Sequence, residues 1–109
     1  MRAKGPDIGL GPEALDRLMP LHLACDAQGH VVSVGPTLAK LTGRQRLIGA
    51  QVHEVLALRR PAAPATVEAL RLRAGTLALA LATEPAVTFR GLAVPSAGGG
   101  LFLNLSFGI

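Results

Sequence analysis

The chain has neither tryptophan nor tyrosine, and its only aromatic residues are three phenylalanines among 109 positions. A core of Leu, Val and Ala lacks the flat surfaces on which nucleobases and flavins usually stack. A single cysteine, Cys25, excludes an internal disulfide and fits a reducing compartment. Charge is sparse as well. There are 7 acidic and 11 basic residues, for a net charge of +4. Most of the arginines are scattered as Arg44 and Arg46, Arg59 and Arg60, Arg71 and Arg73, and Arg90. Arg71 and Arg73 would point to different sides of a helix, so no basic stripe forms and no nucleic-acid partner is expected. The longest stretch without charge, Gly91 to Ile109, contains Pro95 and Gly98-Gly99-Gly100 and alternates like strands. It is not expected to span a membrane. The opening MRAKGPDIGLG has basic groups but no apolar run of the secretory kind. A cytoplasmic protein without membrane contact is expected.

Half of the residues are apolar, which suits one domain that buries roughly two-thirds of its unfolded surface. No linker or repeat divides residues 1–109. Residues 1–11 read as a flexible segment. Pro12 to Met19 reads as a short N-terminal cap helix with proline in its first turn and Ala14, Leu15, Leu18 and Met19 on its apolar side. Such a helix is too short to stand alone and must pack on something. In LHLACDAQGHVVSVGP, Leu21–Asp26 and His30–Val34 read as two strands around a turn, with Gly29 free to take a positive φ.

Three short helical stretches follow, at Gly35–Gly43, Gln51–Leu58 (stopped by Arg59-Arg60-Pro61) and Ala65–Ala74 (closed by Gly75). Leu77-Ala-Leu-Ala-Leu-Ala82 alternates strictly, with Leu on one face and Ala on the other. Ala86–Val94 and Leu101–Phe107 complete a set of five strands. The expected fold class is α+β: one five-stranded antiparallel sheet with short helices on one face and an N-terminal helical cap.

The candidates for chemistry do not assemble. His22 and Asp26 share a strand face but lie about 13 Å apart at four residues' spacing, and His30 is across the turn. A metal needs its donors within about 2.0–2.3 Å of one point, so His22, Cys25 and His30 are read as two ordinary polar strand residues and a small core residue. Asp26 and Gly29 are read as the turn builders. His53 and Glu54 are sequence neighbours, which do not face each other on a helix. Gly9-Leu-Gly11-Pro-Glu-Ala14 fits a dinucleotide pattern in form only, because no strand precedes it. No metal, cofactor or catalytic residue is assigned, and no enzyme activity is expected of the isolated domain.

What stands out is a face. Ala78, Ala80 and Ala82 give one side of a strand almost no height, and Phe102 and Leu92 fall on that side by parity. A sheet with an apolar second face normally has it covered. Together with Leu15, Leu18 and Met19, residues Ala78, Ala80, Ala82 and Phe102 form the expected homodimer interface.

The element order resembles a PAS domain. LHLACDAQGHVVSVGPTL, LIGAQVHEVLALRRP and FRGLAVPSAGGGLFLNLSFGI look like the heme-NO-binding-associated domain, the PAS-like module of soluble guanylate cyclases and some bacterial signalling proteins. The resemblance covers about residues 18–109, and its best points are His22, Asp26, Gly35, Leu58-Arg59-Arg60-Pro61 and Arg90-Gly91. It implies a dimerising regulatory domain without a cofactor of its own. Such a domain partners a heme-NO-binding sensor domain or protein and relays its signal to a kinase or cyclase output. The rival expectation is a PAS sensor holding a small molecule or heme in its own pocket. Because the sequence stops directly after a strand, a natural chain is expected to continue into a helical linker. The expected whole is a signalling enzyme such as a histidine kinase of a two-component system, a diguanylate cyclase or a guanylate cyclase.

Overall fold

Two-residue alternation dominates the observed architecture. The computed structural model describes residues 11–42, 47–59, 62–73 and 76–107. The order is α1 (Pro12–Leu18), β1 (His22–Cys25), β2 (Val31–Val34), α2 (Pro36–Thr42), α3 (Val52–Val55), β3 (Leu56–Arg59), β4 (Ala62–Pro64), α4 (Val67–Arg71), β5 (Leu77–Leu81), β6 (Thr88–Pro95), a 3-10 turn (Ala97–Gly99) and β7 (Leu101–Phe107). The strands form one antiparallel sheet of seven in the order β2-β1-β7-β6-β5-β3-β4.

This corrects the expected fold class. The domain is mostly β, a curled half-barrel of seven strands with few short helices, not a five-stranded PAS sheet with a helical cap. The five expected strands are all present; β3 and β4 are the additions. Gln51–Leu58, expected as a helix, is helical only to Val55 and then turns into β3. The spacing of Val52, Val55 and Leu56 fits a helix, but Leu56 and Leu58 alternate with Ala57 and pair with Leu81 and Leu79 of β5. Sheet pairing wins over local periodicity. The cap fails too. Helix α1 forms, but it buries none of its residues, and Leu18 is 67% exposed. All but Gly11 of the expected flexible stretch at 1–11, and the stops at Gly43, Arg60-Pro61 and Gly75, lie outside the described residues.

Register assigns the faces. Leu23, Leu103 and Ala93 align across three strands, as do Leu105, Gly91 and Leu77. These odd-numbered positions point into the concave side. There they meet Leu38 of α2, Val52 and Val55 of α3, and Val67 and Leu70 of α4 in one buried cluster. On β1, β5, β6 and β7 the even-numbered positions form the outer face, on which Ala78 pairs with Arg90, Arg90 with Ser106, Leu92 with Asn104, and Val94 with Phe102. In β3 the parity is reversed, and Leu56 and Leu58 are buried.

The first turn behaves as the sequence requires. Asp26 Oδ1 accepts hydrogen bonds from the backbone N–H groups of His30 (2.9 Å) and Gln28 (3.0 Å), and Gly29 takes a φ of 88°. The His30 amide, followed by that of Gln28, holds the Asp26 carboxyl below its ordinary value of 3.8. A depressed folded-state value means stability that is present above the unfolded pKa and lost as pH falls through the lower folded one. Asp26→Ala is therefore expected to melt below the wild type at neutral pH. The difference should shrink as the pH falls below about 3.8. Thermal melts across that range would expose an Asp26 without a role as a pH-independent gap.

Candidate functional site

The three side chains in LHLACDAQGH end up in three environments. Cys25 is buried on the concave face, where desolvation pushes its thiol pKa up despite an opposing backbone hydrogen bond from Leu101. A buried, protonated thiol is a core residue rather than a nucleophile. His30 stays at the surface, its Nδ1 3.6 Å from Asp26 Oδ2. His22 is fully buried although it lies on the outer face. Cys25 and His22 thus face opposite sides of β1, and the described residues contain no cluster of three His, Cys, Asp or Glu side chains. His53 is exposed on α3. Its neighbour Glu54 accepts a hydrogen bond from the Gln51 backbone N–H at 2.7 Å, closing the start of that helix.

His22, read from the sequence as an ordinary polar strand residue, is instead buried and fully partnered. Its Nδ1 lies 2.8 Å from the Met19 carbonyl oxygen. A carbonyl can only accept, so Nδ1 carries the hydrogen. In the neutral ring, Nε2 then accepts from the Ser33 hydroxyl at 2.7 Å. The ring also stacks on Phe102, with centroids 5.5 Å apart and planes within 7°. The only sequence signal is a histidine at a strand start between Leu21 and Leu23, and that does not by itself predict burial.

The expected interface residues are only partly gathered. Ala78, Ala80 and Phe102 share the outer face, with Ala80 itself 5% exposed and Ala78 and Phe102 half-buried. Ala82 lies just past β5 and is half-buried. On α1, Leu15 and Met19 are half-buried and Leu18 is exposed. The outer face also carries Leu92 and Val94, 53% and 51% exposed, which complete its apolar surface. Beside them a shallow depression is lined by Arg90, Asn104 and Ser106 among others.

The model of the family "Heme NO binding associated" matches residues 8–89, most of the chain. The chain belongs to that family. It is a heme-NO-binding-associated signalling domain, with the signal-transduction and guanylate-cyclase-like setting which that family implies. A comparison with curated proteins gives no match. No helix among the described residues is long and apolar enough to cross a membrane.

Proposed function

We propose that this heme-NO-binding-associated domain is a non-catalytic regulatory module that pairs with a second copy of itself. Through that pairing it relays a signal from a cytoplasmic heme-NO-binding sensor to a kinase or cyclase output. The observation that carries the reading is a sheet exposing Leu92 and Val94 next to Phe102, together with a helix that exposes Leu18 and buries none of its own residues. Two apolar surfaces of this kind favour a twofold partner.

The side chains able to do chemistry hold the fold instead. Asp26 closes a turn, Glu54 closes a helix start, and Cys25 fills the core. This supports regulation rather than catalysis. The test is Leu15→Asp combined with Leu18→Asp. Light scattering should show a fall from dimer to monomer mass while circular dichroism stays unchanged. A variant that keeps the wild-type mass would remove the helix from the interface.

A further inference from the structure

Helix α1 buries none of its residues, yet the chain leaving it is tied down at every step. The Met19 N–H donates to the Leu15 carbonyl at 2.8 Å, and the Met19 carbonyl accepts from the His22 backbone N–H at 3.0 Å. That same carbonyl accepts from His22 Nδ1. The ring's other nitrogen reaches Ser33 of β2, and its face lies on Phe102 of β7. One buried imidazole therefore joins the exit of α1, an edge strand and a central strand. An isolated tether on Met19 could swivel, whereas a ring fixed at both nitrogens and on one face cannot.

We propose that His22 is the positioning residue that sets the angle at which α1 leaves the sheet, and so presents the pairing helix in one orientation. This rests on the reading of α1 as the pairing element. It goes beyond that reading in naming the group that makes helix and sheet move together: a tilt of α1 must either drag the ring across Phe102 or break the Met19 hydrogen bond.

Spin labels at Arg17→Cys on α1 and Arg59→Cys on β3, both exposed positions, measure the angle directly. The native Cys25 is 2% exposed and stays unlabelled. Dilution with unlabelled protein restricts the distances to one chain. The wild type should give one narrow distance distribution. His22→Phe keeps the stack but loses both hydrogen bonds, and should widen the distribution about twofold. His22→Asn, whose amide nitrogen can replace Nδ1 at the Met19 carbonyl, should narrow it again. That rescue separates positioning from mere packing. Should His22→Phe fail to fold, Ser33→Ala removes only the Nε2 partner and must widen the distribution in the same sense. Equal widths in all variants overturn the proposal. Light scattering on the same samples judges pairing separately. A monomer whose width depends on His22 keeps the positioning role and removes the pairing reading, and a dimer whose width ignores His22 does the reverse.

Discussion

Phe89→Ala is expected to destabilise the domain by about 3–5 kcal/mol, the usual range for removing a buried aromatic side chain. Phe89 is 1% exposed and is among the largest fully buried side chains. It pairs with Leu79 on one side and Phe107 on the other, with its ring 5.9 Å from that of Phe107. The surrounding core is nearly all Leu, Val and Ala, held on strands whose backbones are fixed by neighbours on both sides. Phe107 is the one aromatic neighbour, and the other neighbours are fixed on paired strands, so most of the cavity should persist. Set against a typical stability of about 5–15 kcal/mol, the loss is a large share. Urea unfolding should show a much lower midpoint with an unchanged slope. A loss below about 1 kcal/mol would mean that the sheet collapses around the site and that the half-barrel is softer than its packing implies.

Gly35→Ala is the second large effect, expected to cost about 1–3 kcal/mol by overpacking against backbone. A Cβ at Gly35 would overlap the Pro20 carbonyl oxygen and stand 3.0 Å from that of Met19. Neither is a flexible side-chain end, so neither can step aside cheaply. The crowding has a purpose. Helix α2 starts at Pro36, preceded by a residue with no side chain to cap it, and the Pro20 carbonyl serves instead, accepting from the N–H groups of Thr37 (3.0 Å) and Leu38 (3.3 Å). The variant should therefore lose hydrogen-exchange protection first at Thr37 and Leu38, and less in β5. Uniform loss across the domain would show that the clash is spread rather than local.

How much of this could be read from residues alone depends on whether the signal was local. In Leu77–Leu81 every other residue is leucine, and the two-residue beat reports the strand and its buried face directly. Leu101–Phe107 is legible for the same reason. The stretch Val52–Arg59 carries both periods at once, and only the partner strand β5 decides where the helix stops. Ala62–Pro64 has three small residues and no pattern, so β4 exists through its pairing with β3. On the candidate surface, strand parity correctly put Leu92, Phe102 and the alanines of β5 on one face. Parity could not reveal that Ala80 is nearly covered, or that His22 on the same face is sealed by the Met19 carbonyl, Ser33 and Phe102. Those facts depend on how the chain enters β1 from α1, a tertiary arrangement that no sequence period encodes.

The central claim is that the domain works as a pair, and the wild-type mass at micromolar concentration tests it most directly. Each apolar side chain fully buried at the contact contributes about 1.5–3 kcal/mol before the cost of association is subtracted. Leu15, Leu18, Leu92 and Val94 on each copy are the side chains that such a contact would bury. Size-exclusion chromatography with light scattering should return twice the 11.2 kDa chain mass, falling towards the monomer on dilution. A mass of 11.2 kDa that stays constant as the concentration rises would contradict the account.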